Sequence, residues 1–495
     1  MLSLLVSFPL VVALGLLAVP RLPDPTARWV WVVSEAVVVL AVAGLWAAYD
    51  PDTSGLAFEE QVPWIPGIGS SYHLGVDGLS LPLLALTAVI FAAGAVYALR
   101  EQQRPRVHAA LFLFLQTTCL GLFVAQDLIV FFVFFDLSIV AMYFAIAGWG
   151  HGDAARSALK FFLYTFLGSL VLLLGFIGLY VAADPHTFDM VELSAATPLA
   201  DRPVAGGLVL TAILVGLAVK TPTVPFHTWL PPAHTDASAV GSAVLAAVLL
   251  KMGTYGFVRI AMPMLPEAWR AFAWAIIAVG VVSVVYGALV ALAQTDVKRM
   301  IAYTSVNHMG YVVVAVGAAG LVAADDPQAR AVAVSGAITQ MVSHGLITGA
   351  LFLLAGVLYD RAGSYDLASF GGLAAPAPQL ATAFALGAFA SLGLPGFSGF
   401  IAEFQVFTGS IAVAPITAVA LVGILVTAAL FLNAFQRLFT GPTQGHSTGF
   451  TDLRRSELWS IGPLLALTIA IGLLPRPLLE VVEPAARTVV ELVGR

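Results

Sequence analysis

Apolar residues in this chain come in runs of about twenty, most of them separated by short polar breaks. About twenty apolar residues is the length an α-helix needs to cross the ~30 Å hydrocarbon core of a bilayer. Such runs fall at 2–20, 29–49, 80–99, 107–126, 128–148, 159–182, 206–236, 238–261, 271–293, 299–322, 333–357, 378–409, 413–436 and 459–475. They predict an all-α polytopic membrane protein with about fourteen transmembrane helices. The first run has no basic n-region and no small-residue cleavage site, so it reads as the first span and not as a signal peptide. The stretch from Leu478 to Arg495 is amphipathic and predicts a helix lying at the membrane interface.

Two of the runs are broken. In 206–236, Pro222 and Pro225 follow Lys220 in the segment KTPTVPFHTWLPPAH. Proline has no N–H to donate and clashes with the preceding helical turn. In 378–409 the break is SLGLPGFSG, with Gly393, Pro395, Gly396 and Gly399. Broken backbone at membrane depth is tolerated only where protein or water covers it. The two breaks fall in the seventh and twelfth spans, five apart. Paired interrupted spans of this kind point to an inverted repeat with a site at the midplane. The predicted division is residues 1–106 (spans 1–3), 107–261 (spans 4–8, first repeat), 271–437 (spans 9–13, second repeat) and 438–495 (span 14 and the tail).

Ionisable residues inside the spans are few. The candidates among them are Asp136, Lys220, Lys251, His308, His344 and Glu403, with Lys160 at the mouth of span 6. A lysine at the centre of a membrane helix costs about 2.5–3.5 kcal/mol on insertion scales, which makes each one a candidate for function. Burial favours a neutral lysine and a nearby carboxylate favours a charged one, so a change of geometry can load or release a proton. Acid, lysine, lysine, histidines and acid form the inventory of a proton relay. Each has a plainer reading. Asp136 and Lys220 fit a structural ion pair, and the histidines fit satisfied packing residues. Glu403 fits a helix cap after the glycine break. Lys160 fits a side chain snorkelling to the headgroups, and His227, His234 and Asp236 fit interfacial residues.

Composition agrees with the pattern, since 60% of the 495 residues are hydrophobic and 10% are charged. The single cysteine, Cys119, leaves no pattern for iron–sulfur or haem ligation, and no GxxxxGK[ST] loop is present. Taking alternate loops, 13 of the 22 lysines and arginines fall on one side. Seven fall on the other (Arg202, Arg259, Arg270, Arg330, Arg476, Arg487 and Arg495), while Lys220 and Lys251 lie within spans. The loop from Asp50 to Ser80 has five acids and no Lys or Arg. By the positive-inside rule both termini face away from the cytoplasm.

Several long segments stand in an order that resembles a known family: PFHTWLPPAH, LLKMGTYGFVR, QTDVKRMIAYTSVNHMGY, QMVSHGLITGALFLL and GLPGFSGFIAEF. Together they resemble the antiporter-like subunits of respiratory complex I, over nearly the whole chain. The resemblance implies fourteen helices with two inverted five-helix repeats. It implies that Lys220 is the broken-helix lysine, Lys251 the central lysine of the next helix, His308 and His344 bridging histidines, and Glu403 the terminal acid of the second broken helix. Glutamate there is the M-type pattern; the L- and N-type subunits and the cation/proton antiporter subunits usually have lysine.

The function implied is proton translocation coupled to quinone reduction elsewhere in an NADH-quinone oxidoreductase. The chain itself is expected to hold no cofactor. NADH, FMN, iron–sulfur clusters and quinone are expected on partner subunits, and the L-, N- and K-type membrane-arm subunits are the expected neighbours. The expected location is the bacterial plasma membrane, with no nucleic-acid partner. Multisubunit cation/proton antiporters and membrane-bound hydrogenases reuse the same family; Glu403 speaks against the first. Two departures stand out. Asp136 replaces the family's usual glutamate, which retracts the carboxylate by ~1.5 Å and calls for a water or a backbone shift to reach Lys220. Pro232 and Ser238 replace a usual acid and proline.

Overall fold

The computed structural model describes residues 1–52, 55–322 and 326–495. In chain order the elements are α1 (Leu2–Ala18), α2 (Asp24–Ala48), β1 (Ala57–Ile65), β2 (Ser70–Val76), α3 (Leu81–Tyr97), α4 (Pro105–Val124), α5 (Leu128–Trp149), α6 (Ala154–Ala182), α7 (Met190–Ala196), α8 (Pro203–Lys220) and α9 (Leu230–Asp236). There follow α10 (Ala239–Met264), α11 (Pro266–Leu292), α12 (Val297–Ala319), α13 (Pro327–Ala362), α14 (Pro378–Ser391), α15 (Ser398–Val413), α16 (Leu421–Phe439), α17 (Arg455–Leu473) and α18 (Arg476–Gly494). Among the described residues, 11 helices are long and apolar enough to cross a membrane, and α1 and α15 are shorter apolar helices. The protein is a polytopic helical membrane protein.

Local sequence sets the helix ends. Proline opens α4, α8, α11, α13 and α14, where a missing N–H costs nothing. Asp127, Asp189, Asp296 and Asp326 accept first-turn N–H groups of α5, α7, α12 and α13. Small residues let helices close up. A Cβ at Gly280 of α11 would stand 2.7 Å from the Val314 amide nitrogen, and one at Gly310 of α12 would stand 2.8 Å from that of Val284. Helix α13 runs 36 residues, ~54 Å at 1.5 Å per residue, and its apolar length is buried throughout. It is the central post, packed by α10, α12, α15, α17 and α18.

The chain is not all-α, which corrects the expectation from sequence. Strands β1 and β2 form an antiparallel hairpin inside the acidic loop, pairing Glu60 with Leu74 and Pro63 with Ser71. Pro63 and Pro66 break the pattern by which strands are recognised, and a strand carrying proline is confined to a sheet edge. Helix α18 is amphipathic, but Leu478, Val481, Val482, Ala486, Val489 and Val490 are buried against the protein itself. Arg270 and Arg330 donate to the Val493 and Val490 carbonyls at its C-terminal end, at 3.2 and 3.4 Å.

Two polar layers cap the bundle. The N-terminal amine pairs with Glu60 of the hairpin, and Gly78 lies against the backbone of α18 at Val481. Both termini therefore share the hairpin side. The opposite layer carries Arg100 and Arg361, each 2.7 Å from Glu457, and His151 stacked on Tyr359 at 4.4 Å.

His73 of β2 fastens the hairpin to the bundle, with Nδ1 2.5 Å from Asp189 and Nε2 2.8 Å from Glu59. Burial alone lowers its pKa, but the hydrogen bonds and charges of Asp189 and Glu59 outweigh burial and raise it above the ordinary 6.5. Burial raises the Asp189 carboxyl, and the His73 contact outweighs it and holds the group low. A raised histidine pKa gives stability that is present at acid pH and lost as pH rises through the folded value. A lowered aspartate pKa gives stability lost only as pH falls through its folded value. The fastening is thus strongest in the mildly acid window between them. Amide hydrogen exchange in residues 57–76, corrected for intrinsic rate, is expected to speed up several-fold as pH rises from mildly acid to alkaline. His73→Gln should remove that dependence, and an equal pH dependence in the variant would show that another group controls the hairpin.

Candidate functional site

The first break follows from its prolines. Helix α8 ends at Lys220, and the backbone then passes through Pro222 and a cis Val224–Pro225 bond. Protein groups satisfy the carbonyls and amides this frees. Trp229 Nε1 donates to the Val219 carbonyl at 2.9 Å, and the Val224 amide donates to Ser283 Oγ at 3.0 Å. Lys220 is buried, with Nζ 3.0 Å from Ser138 Oγ and 4.7 Å from the Phe135 ring centroid. Asp136 stands between those two residues on α5, half-buried, with Oδ1 unpartnered. It makes no direct ion pair with Lys220, whose hydrogen bond goes to Ser138.

The next helix, α10, passes close to the end of α8. A Cβ at Gly253 would stand 2.8 Å from the Leu217 carbonyl oxygen, so only glycine permits this approach. Wide π turns at Leu245–Leu249 and Phe257–Ala261 bracket Lys251. Lys251 is fully buried; its Nζ lies 2.6 Å from the Ala246 carbonyl and 2.5 Å from His344 Nδ1 on α13.

From His344 the polar row continues. Its Nε2 is 3.2 Å from Ser305 Oγ, and its ring lies 5.5 Å from that of His308 on α12. His308 Nδ1 accepts from Gln340 Nε2 at 3.2 Å and lies 3.7 Å from Glu403 Oε1; its Nε2 is 3.2 Å from Ser391 Oγ. His344, His308 and Glu403 line a cavity of ≈ 10 Å³, about the room of one water. The second break shapes this end. Helix α14 stops at Ser391, Gly393 and Gly396 take φ of 68° and 99°, and α15 restarts at Ser398. Glu403 lies in the second turn of α15, beyond the orphan N–H groups, so it is not the cap. A Cβ at Gly393 would collide with its carboxylate.

Lys251, His344, His308 and Glu403 thus form one contiguous row, and Lys220 with Asp136 lies across the α8–α10 contact. Lys160 is exposed and donates to the Thr228 carbonyl at 2.8 Å, so it braces the first broken segment. His227 is buried beside Tyr286, at 5.1 Å between rings. Asp236 accepts from Ser157 Oγ at 2.5 Å. His234 is no interfacial residue: it is fully buried, stacked on Phe352 at 4.5 Å, with both ring nitrogens unpartnered. Lys298, counted from sequence as a loop cation, is also fully buried; it donates to the Ala237 carbonyl and lies 5.1 Å from the Tyr365 ring. Charge counting places it in a loop because it stands two residues after the capping Asp296. Ser138, Ser305, Gln340 and Ser391 were not singled out from sequence either; their signal is small polar residues within apolar runs.

Known proteins resemble the chain throughout. Residues 125–431 match the family described as NADH:quinone oxidoreductase/Mrp antiporter, TM. NADH-quinone oxidoreductase subunit M of Rickettsia prowazekii is 37% identical, over 92% of this chain and 91% of that one. The subunit M of Rhodobacter capsulatus is 38% identical, over 99% and 96%. A chain of respiratory complex I from Thermus thermophilus with bound NADH superposes at a TM-score of 0.89 and 30% identity, over 100% of both chains.

The contact between Gly393 and Glu403 can be read directly. The carboxyl stretching band of Glu403, identified as the infrared band lost in Glu403→Gln, is expected to shift in Gly393→Ala. An unmoved band would mean that the carboxylate does not rest on the second break.

Proposed function

The chain belongs to the NADH:quinone oxidoreductase/Mrp antiporter transmembrane family, and from that membership we propose that it is the M-type, proton-translocating membrane-arm subunit of an NADH-quinone oxidoreductase. The observation that carries this reading is the buried row from Lys251 through His344 and His308 to Glu403, which ends at the second helix break. In this reading the chain moves protons, and electrons travel on other subunits that hold NADH, FMN, iron–sulfur clusters and quinone. Its neighbours are the L-, N- and K-type membrane-arm subunits.

The relay works by short hops between groups that can each hold a proton. Lys251 and His344 already share a hydrogen bond, so transfer needs no side-chain movement. The gap from His308 to Glu403 is longer than a hydrogen bond, and the adjoining cavity has room for one water to bridge it. At the other end, Asp136 acts on Lys220 across a gap. A shift of α5 against α8 changes that distance and with it the preferred charge on the lysine.

In the same reading the membrane is crossed fourteen times. The broken pairs α8–α9 and α14–α15 each count once, and α7 and α18 lie outside the count. Helices α4–α10 without α7, and α11–α16, form the two inverted five-helix repeats, residues 107–261 and 271–437, between the first 106 residues and the last 58. Both termini lie on the non-cytoplasmic side of a bacterial plasma membrane.

Mutation tests the relay and fusion tests the topology. Glu403→Gln should lower proton translocation per NADH oxidised several-fold at nearly unchanged complex content. Asp136→Asn should lower it about as far as Lys220→Ala, with the double variant little worse than either, since groups acting as one unit are not additive. Asp136→Glu should retain most activity. Wild-type pumping in both Glu403→Gln and Asp136→Asn would refute the relay. Separately, a reporter fused after Arg495 should be active only on the outer side of the membrane; cytoplasmic activity would put the hairpin side in the cytoplasm and overturn this orientation.

A further inference from the structure

Lys251 is the first of three polar residues spaced four apart on α10: Lys251, Tyr255 and Arg259. Residues four apart share a helix face, so the row points from the relay toward the hairpin side. Eight residues of helix span ~12 Å. Arg259 Nε lies 2.9 Å from Tyr255 Oη, and Arg259 Nη2 lies 2.5 Å from Asp77 Oδ1. Beyond the pair opens a cavity of ≈ 570 Å³ on the hairpin side, lined in part by Asp77, Arg259, Gln126, Glu59 and Tyr49. The Arg259 and Asp77 side chains are 11% and 16% exposed, so the pair forms the floor of that cavity and not its rim.

A line along this face of α10 from Lys251 to the cavity bypasses His344. Two features close it. Tyr255 spends its only O–H proton on the Phe123 carbonyl, at 3.0 Å. Arg259 cannot be deprotonated in a protein, so it cannot pass a proton on, and its fixed charge repels one that approaches. Asp77 holds the arginine in place. The same Oδ1 accepts the Leu79 and Ser80 amides, at 3.0 and 3.1 Å, which ties the carboxylate to the start of α3. The wide turn Phe257–Ala261 lies around Arg259, where the helix departs from regular geometry.

We propose that the Arg259–Asp77 pair is an electrostatic plug: it closes α10 to protons on the hairpin side, so that a proton held at Lys251 leaves only sideways, through His344. The proposal rests on the relay reading above.

The test uses the whole complex, reconstituted into liposomes that contain a pH-sensitive dye. Without NADH, an imposed pH gradient should collapse several-fold faster with Arg259→Gln than with wild type. With NADH, oxidation should continue while the gradient built falls by a similar factor. Arg259→Lys, paired with Asp77 and still cationic, should restore most of the seal. Asp77→Asn keeps an oxygen for the α3 amides but removes the negative charge that holds the arginine, and should leak as well; it reads the same quantity if Arg259→Gln fails to assemble. Adding Lys251→Ala to Arg259→Gln should stop the leak. Vesicles as tight as wild type with Arg259→Gln, or with Asp77→Asn where the former does not assemble, would overturn the plug. A leak that persists without Lys251 would overturn it too. Lys251→Ala with undiminished pumping would instead overturn the relay on which the plug rests.

Discussion

Inside a bilayer no solvent is at hand to satisfy a charge or a free backbone amide, and every such group must find its partner within the protein. The described structure is arranged around that constraint. The row from Lys251 to Glu403 occupies faces of α10, α12, α13 and α15 that see only other helices. Each break is covered the same way: Trp229 and Ser283 bond backbone freed by the first, and the second packs against the Glu403 side chain. Lipid-facing positions such as Leu174 and Leu208 are apolar and exposed.

The long helix α13 makes this arrangement possible. Its buried length supplies Gln340 and His344 to the row, Phe352 to the stack on His234, and Arg361 to the polar layer opposite the hairpin. A residue that held only one of these contacts could be replaced at modest cost. Because α13 holds all of them on one rigid element, a change of register there would disturb the layer opposite the hairpin and the buried row together.

Much of this was legible in the sequence, for a reason particular to membranes. A span must be apolar for about twenty residues, so its outline shows in composition, and an ionisable residue inside it stands out. Lys220, Lys251, His308, His344 and Glu403 were visible on those grounds, as were the two proline and glycine breaks. What one chain does not reveal is which helices touch. The 2.5 Å contact of Lys251 with His344 joins residues 93 apart in sequence. The hairpin was missed because Pro63 and Pro66 suppress the signal of a strand. Lys298 was missed because charge counting assigns a lysine near a helix start to the loop, whereas its side chain turns inward onto the Ala237 carbonyl.

Under the relay proposed above, the contact at His344 carries a consequence for timing. An imidazole that accepts a proton at Nδ1 and releases one from Nε2 ends as the opposite tautomer. His344 faces Lys251 with Nδ1 and Ser305 with Nε2, and helices on every side hold its ring. After one passage Nδ1 carries hydrogen and can no longer accept from the lysine. The ring must be rewound, by a flip in its packed pocket or by protons returning the other way, before a second passage. In the proposed relay a histidine held like this would be a turnstile with a single charge of spring: it would pass one proton and then wait for the surrounding helices to wind it again.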